Sequence, residues 1–590
     1  MATESFFSNA SLAYLASAGA GKDGKAYSIK PTDGTGDFTF SRGSNLAATR
    51  VGADGLIEKG RENLLLQSNN FDTTWFNVRS TETGGQTDKD GGSTAWLLES
   101  TDASTSYIQQ DVSNSGVQTF SVIAKKGTTD FMYLLVFGSN FAGQYFDLNN
   151  GTLANPVYTT IDASIEDLGG GWYRCSLFFQ SNVTHVTIYP ADSGTSSLSA
   201  VGSNIYIQDA QLEIGLAATD YIESEATTGK AGLLEDEPRF DYSGGATCGS
   251  LLLEPSRTNL VQSEYFGAYT KSDTSILTNQ AQSPEGLVNA SLIAETATNS
   301  NHYFGLTSGV SVVSGTTYTF SVFIKKGDGA SAPDYCQLTF NFAGFGAIYA
   351  NFNLSNGTIG ALSGVTPLIS DSTINGFWRC SITATATSTA NTGAIVAFTN
   401  NNDSLGRLPS YLGNTASDFY AYGFQVEEGS YPTSYIPNHS GGSVTRGNDA
   451  LTTLDITSLV TGTPFTWFLD LNEWQGSDTN IGDLILLNST ARIELRVRND
   501  GYRILYNAIN AGTSYPISAS KTARKFCIKY DGSNFKLFRD GVLENTTASA
   551  GDTGWSEITQ TAGGATLPLD QMLLFNEALS DADCISLTTL

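Results

Sequence analysis

The groups that could do chemistry are few and far apart in this chain. Its three histidines, His185, His302 and His439, are widely separated and make neither the HExxH nor the HxH spacing that sets two imidazoles on one metal. No GxSxG elbow offers a serine to a base. The six cysteines, Cys175, Cys248, Cys336, Cys380, Cys527 and Cys584, lack the CxxC spacing of zinc or redox sites, which predicts small apolar core residues in a protein made in a reducing cytoplasm. Gly19-Ala20-Gly21-Lys22-Asp23-Gly24-Lys25-Ala26 nearly fits a phosphate-binding loop, but Ala26 stands where a Ser or Thr must reach magnesium. It reads as a flexible glycine-rich loop. Among 58 acidic residues a pair of carboxyls could stand at the roughly 5–9.5 Å of a glycoside hydrolase. The short regular repeat of a β-helix depolymerase is missing from the sequence, however. The reading is a non-catalytic chain with no cofactor.

Binding asks less of a sequence than catalysis. Sugars are held by aromatic stacking together with amide and carboxylate hydrogen bonds. The C-terminal 150 residues offer Trp474, Tyr502, Tyr506 and Trp555 beside many Asn and Asp. Trp474 and Trp555 sit among Glu, Gln, Ser, Asp and Gly, where a core role is least natural, so these four are the expected ligand-facing residues. Acidic turns at Asp147-Leu148-Asn149-Asn150, Asn499-Asp500 and Asp531 could hold structural calcium, which wants six to eight oxygens; a plain Asx turn is the favoured reading.

The elements that must position such residues are strands. The chain has 590 residues, with 61 Gly, 32 Phe and 26 Tyr but only 3 Met and 15% charged residues, a composition that suits pleated sheets over helices. Its length calls for several cores. The formal net charge of -27 repels phosphate backbones and argues against a nucleic-acid partner. No apolar run approaches the roughly 20 residues of a membrane helix, so no membrane insertion is expected. The N-terminal residues carry no Lys or Arg ahead of a short apolar stretch, so no secretory signal is expected.

An internal repeat organises the chain. Arg61-Glu62-Asn63-Leu64 answers to Arg257-Thr258-Asn259-Leu260, and Thr119-Phe120-Ser121-Val122 to Thr319-Phe320-Ser321-Val322. Phe146-Asp147-Leu148 answers to Phe352-Asn353-Leu354, Trp172-Tyr173-Arg174-Cys175 to Phe377-Trp378-Arg379-Cys380, and Gln211-Leu212-Glu213 to Gln425-Val426-Glu427. Thr219 with Tyr221-Ile222 closes the first copy as Thr433 with Tyr435-Ile436 closes the second. The offset grows from 196 (61 to 257) to 214 (221 to 435), the mark of loop insertions between fixed strands. Alternating stretches punctuated by Asn150-Gly151 and Asn356-Gly357 predict antiparallel jelly-roll sandwiches. The Trp172 and Trp378 blocks read as core strands whose arginines cap a carboxylate or carbonyl.

The expected architecture is all-β and multidomain: an attachment segment (1–57), a jelly roll (58–225), a β-hairpin connector (226–253), a second jelly roll (254–440) and a third sandwich (441–590). The hairpin connector is read from Pro238-Arg239-Phe240-Asp241-Tyr242 and Leu251-Leu252-Leu253-Glu254.

Several blocks carry a resemblance. Phe40-Ser41-Arg42 through Thr49-Arg50-Val51, Asp54-Gly55-Leu56-Ile57-Glu58, the connector, and Thr433-Ser434-Tyr435-Ile436-Pro437 resemble bacteriophage structural proteins of the tail-fibre kind. The repeated unit is similar to carbohydrate-binding modules of jelly-roll type. Lys529-Tyr530-Asp531-Gly532, Arg539-Asp540-Gly541 and Phe575-Asn576-Glu577-Ala578-Leu579-Ser580-Asp581 resemble the laminin-G and concanavalin A-like class. The resemblance implies a fibre or spike assembled in the host cytoplasm and located on the virion, joined to other virion proteins through its N-terminal segment. It also implies a homotrimer that contacts host surface glycans, with the C-terminal module outermost. A capsid-decorating head fibre and a glycan-degrading enzyme with accessory binding modules are the alternatives.

Overall fold

The computed structural model describes residues 4–18, 21–22, 24–43, 46–243, 248–471, 482–488, 491–498, 501–508, 514–516, 524–548, 554–561 and 566–589. About 55% is strand and 4% helix, so the all-β, multi-sandwich expectation holds. The near-phosphate loop is a small hairpin, Gly21–Lys22 against Lys25–Ala26, with no helix at its end to receive a phosphate.

The repeated motifs turn out to be one structural clamp used twice. Asn63 is buried and donates through Nδ2 to the carbonyls of Ala210 and Ile222, while its Oδ1 accepts from the amides of Leu65 and Leu212. Asn259 does the same with Phe424, Ile436, Val261 and Val426. The Gln and Glu of the closing motif complete it. Gln211 Oε1 and Gln425 Oε1 accept from Ile222 and Ile436, both at 2.7 Å, and Glu213 and Glu427 accept from the amides of Thr219 and Thr433. Each Asn satisfies four backbone groups at once, and each Glu takes a backbone amide and the hydroxyl of the same threonine, which ties the first and last strands of each copy together. The glycine after each Lys-Lys is explained in the same way, since a Cβ at Gly127 or Gly327 would overlap Asn204 or Asp418.

In the first copy two 20-residue strands, Tyr107–Lys126 and Trp172–Ala191, pair along their length and run through both layers around one core. The second copy splits into two six-stranded sheets over its own core. The third sandwich is assembled from chain segments far apart in sequence. Its larger sheet contains Phe465–Leu471, Lys525–Tyr530, Asn534–Arg539, Val542–Ala548 and Leu567–Phe575, and the connector hairpin Arg239–Asp241 and Ser250–Leu253 extends it. Leu12–Leu15 pairs with the same Leu567–Phe575 strand, Leu12 opposite Leu574.

Where these segments converge, five charged side chains are buried together. Glu254 Oε2 meets Arg239 at 2.8 Å and Arg446 at 2.7 Å; Asp449 meets Arg239 and, at 3.3 Å, Arg42. Three guanidiniums face two carboxylates, other donors reach the carbonyls of Thr49, Leu234, Glu237 and Pro255, and among the described residues Nε of Arg42 and of Arg446 is buried without a partner. Burial alone would raise the Glu254 carboxyl, but Arg446 and Arg239 outweigh it and hold it far below its ordinary 4.5. A buried carboxylate in such a site is costly to delete because its partners lose their counter-charge. Glu254→Ala is expected to destabilise the protein by about 3–5 kcal/mol, read by denaturant or thermal unfolding. The depressed group contributes stability above pH 4.5 that is lost as pH falls. Glu254→Gln should therefore show a flatter acid limb than the parent, and equal limbs would contradict this account.

Candidate functional site

Strand Phe131–Gly138 of the first copy reads Phe-Met-Tyr-Leu-Leu-Val-Phe-Gly, apolar at both parities of the pleat. A sandwich strand with one face in water should alternate; this one has a second apolar face. Met132, Leu134 and Val136 enter the core, while Tyr133, Leu135 and Phe137 point outward. Register assembles a row across four strands, with Tyr133 opposite Tyr145 on one side and Tyr189 on the other, and Tyr107 beside Tyr189. Tyr133 and Tyr145 stack at 4.1 Å, Tyr133 and Tyr189 lie 5.2 Å apart, and Tyr107 and Tyr189 4.7 Å apart. Burial pushes the Tyr133 and Tyr189 hydroxyls well above their usual range, so this floor is neutral.

At one end of the floor the rings come to the surface. Phe137 stacks on His185 at 4.2 Å, Phe141 stands edge-on to Phe137 at 5.2 Å, and Tyr158 lies 5.5 Å beyond Phe141. Phe141 is 43% exposed and Tyr158 65%. Tyr158 holds φ at 62°, a strained left-handed conformation for a bulky residue, at the corner between strands Thr152–Tyr158 and Thr160–Gly169. The corner is tied down: Thr159 donates through both its amide and its hydroxyl to the Phe141 carbonyl, and Ser181 anchors Asn140. The two exposed rings are thus held in place before any partner arrives. Asp111, opposite His185 in register, and Gln109 add polar groups beside the rings. Burial lowers the His185 pKa, with Asp111 opposing, so the imidazole acts as a neutral stacking ring near pH 7.

The second copy has the same frame and a different outer face. Because Met132 faces Phe146 as Cys336 faces Phe352, Tyr133 and Tyr145 correspond to Gln337 and Asn351. These are fully buried beneath residues 403–408: Gln337 donates to Asn351 and Gly406, Asn351 to Asp403, and Arg407 to Thr339. One face is aromatic and open at its end; the other is polar and sealed by its own loop.

Of the four residues expected to face ligand, the one whose side chain is described, Trp555, lies off this platform. Trp555, expected to face ligand, is 1% exposed in the third core, packed on Phe465 and Phe535 at 5.1 and 6.0 Å; the apolar floor between the two sheets needs a large ring there, whatever the polarity of its sequence neighbours. Trp474 lies outside the described residues, as do the side chains of Tyr502 and Tyr506, whose backbones pair with Val497 and Ile493. The placing of the C-terminal module farthest from the N-terminal segment is also corrected, since Leu12–Leu15 and Leu567–Phe575 are adjacent strands. The Asp147 and Asp531 carboxylates are engaged as Asx turns with following amides; Asn499-Asp500 lies outside the described residues. All six cysteines are buried and free. Trp172 and Cys175 are core, and Arg174 faces Glu166 and Asp220 at 3.6 and 3.9 Å.

No protein-family model matches the chain, and no curated protein matches it. Among solved structures it is similar to the CBM40 of the Ruminococcus gnavus IT-sialidase bound to alpha2,3 sialyllactose, at 16% identity over 21% of this chain and 81% of that one, with a TM-score of 0.17. It is similar to the CBM22 tandem of Paenibacillus barcinonensis Xyn10C, at 11% identity over 62% and 97%, with a TM-score of 0.18. A glycoside hydrolase of family 32 from Bifidobacterium adolescentis matches at 10% identity over 78% and 99%, with a TM-score of 0.14. With hydrolases standing beside binding modules in this set, the expectation of a non-catalytic chain is withdrawn. At these scores no likeness positions a catalytic residue here.

Among the described residues, one carboxyl pair has its acidities pushed upward together. Asp470 and Asp570 lie on the paired strands Phe465–Leu471 and Leu567–Phe575. Burial first, then the Asp470 charge, raise Asp570 to about 8 against the pull of Arg524. Its Oδ1 is buried without a partner. Because the folded value exceeds the unfolded 3.8, the fold holds an extra proton. The contribution of Asp570 to stability is fully present below pH 3.8 and is lost as pH rises through about 8. Asp570→Asn is expected to remove that decline, leaving thermal stability at pH 9 above the parent's and that at pH 4 nearly unchanged. Parallel pH profiles would refute it.

Proposed function

We propose that this protein binds glycans through the aromatic platform of its first sandwich. The observation that carries the reading is the exposed pair Phe141 and Tyr158, held on an ordered floor of rings in one copy of the repeat and replaced by a loop-sealed polar face in the other. A sugar presents an apolar C–H face to a ring and hydroxyls to its neighbours, and the platform offers rings flanked by Asp111 and Gln109. An exposed aromatic patch of this kind marks a contact surface. The net charge of -27 favours neutral or weakly charged glycans over nucleic acid. The resemblance of residues 38–440 to bacteriophage structural proteins supports placing this binding on a virion appendage that engages host surface glycan, assembled as a homotrimer with other virion proteins.

Immobilised host surface polysaccharide, or a glycan array, tests the platform. The Phe141→Ala/Tyr158→Ala double variant is expected to bind about 10-fold or more weakly, two ring contacts being worth about 0.5–1.5 kcal/mol each, with unchanged thermal unfolding. Undiminished binding would place the site elsewhere. Reducing ends assayed in the same incubation report cleavage. Mass photometry and cryo-electron microscopy of the particle test the trimer and the virion location.

A further inference from the structure

A cleft of about 1040 Å³ opens where the first copy, the second copy and the N-terminal segment meet. Its floor is the outer face of strands Thr160–Gly169 and Trp172–Ala191, where Ser164 pairs with Ser176 and Glu166 with Arg174. The residues between them, Ile165 and Cys175, turn the other way into the core. One wall is the tip of the hairpin Thr49–Val51 and Ile57–Lys59, another the closing motif at 217–222, and the third the turn 285–288 of the second copy. These walls are fixed to one another. Ile57 donates its amide to the Pro284 carbonyl at 2.8 Å, and Gly286 holds φ at 77° where a Cβ would stand 2.7 Å from Leu56. Lys59 and Arg61 both hold Glu285, at 2.6 and 2.8 Å. The cleft is thus formed before any ligand arrives, which lowers the ordering cost of binding.

Arg174 sets this floor apart from its duplicate. Register places it opposite Ile123, as its counterpart Arg379 stands opposite Phe323. In the second copy the guanidinium lies over the Phe323 ring at 5.4 Å and donates to Ser321 at 3.1 Å. Ile123 offers no ring face to stack on, and Arg174 lines the cleft instead. The carboxylates beside it, Glu166 and Asp220, stand 3.6 and 3.9 Å away and reach into solvent. Those distances exceed hydrogen-bond reach, and among the described residues the Arg174 guanidinium donates no hydrogen bond. A planar fork of donors, structural in one copy, is left unused and accessible in the other.

Charge selects the class of ligand. Five carboxylates and three cations line the cleft, of which Lys59 and Arg61 are engaged by Glu285, and Glu58 by Arg50 at 2.8 Å. The charges left facing the space are Arg174 and, around it, Asp54, Glu166 and Asp220. The negative excess repels an anion, and the guanidinium at the floor repels a cation. We infer that this cleft binds a neutral oligosaccharide, with Arg174 donating to two adjacent hydroxyls of one ring while Glu166 and Asp220 accept from others. Leu56 and Val288 supply apolar surface for the C–H faces. The inference rests on the glycan-binding reading and adds a second site that reads hydroxyls more than ring faces. Its volume lies at the top of the range of small-molecule pockets and admits more than one sugar ring.

The full-length Phe141→Ala/Tyr158→Ala variant isolates the cleft from the platform. Titrated in a calorimeter with cellotetraose, xylotetraose, mannotetraose and maltotetraose in turn, it is expected to bind at least one of them, one ligand per chain. Trigalacturonate and a trimer of glucosamine are expected to bind about 10-fold or more weakly than that tetrasaccharide. Adding Arg174→Met, which removes the donors at similar volume, should weaken binding about 10-fold or more with unchanged thermal unfolding. Val288 is 53% exposed at the rim, and Val288→Trp should weaken binding as much by narrowing the cleft. No binding of any tetrasaccharide, binding left intact by Val288→Trp or by a folded Arg174→Met variant, or tighter binding of either charged trimer would each overturn the proposal. None of those results bears on the platform, which the titrated protein lacks. The platform fails instead if the parent and the Phe141→Ala/Tyr158→Ala variant bind host polysaccharide equally well.

Discussion

The buried network of Arg42, Arg239, Glu254, Arg446 and Asp449 is the constraint on which the other parts depend. Its members come from the N-terminal segment, the connector and the linker after the second copy, and Ser434 of the closing motif bonds to the same Glu254. A charge in a dry interior is tolerated only when its partners are in place. The network therefore couples segments up to 407 positions apart in the chain. Around it the connector can extend the third sandwich's sheet while its continuation starts the second copy.

With the frame held in this way, the two jelly rolls are free to differ where they face outward. The clamp at Asn63 and its counterpart at Asn259 satisfy the same backbone groups, so each copy closes alike. What changes is the outer surface of one sheet. In the first copy four tyrosines across four strands build a floor, and Phe137, His185, Phe141 and Tyr158 carry it to the surface. In the second, Gln337 and Asn351 recruit a loop over themselves. Duplicated sandwiches can thus divide roles, one presenting a surface and the other serving as packing.

The platform offers ring faces to solvent, with a floor made rigid by stacking, and suits an extended chain passing over it.

Much of this was legible in the sequence. Strand-rich composition and punctuation by Asn-Gly turns give the all-β class because local backbone preference and alternation act over a few residues. The five repeated blocks give two homologous units because their side chains bond within each unit. The platform also left a trace: Phe131 to Phe137 is apolar at both parities, which a one-faced strand does not need, and its counterpart from Tyr335 alternates with Gln337 and Thr339. The choice of Trp555 failed because local polarity around a tryptophan says nothing about which sheet closes over it. Tertiary structure alone decided that Leu12–Leu15 lies beside the last long strand, that Tyr158 projects from a strained corner, and that Lys59 and His439 meet Glu264 in one buried cluster. Those contacts depend on strand pairing and charge compensation between segments tens to hundreds of residues apart, and no local pattern records them.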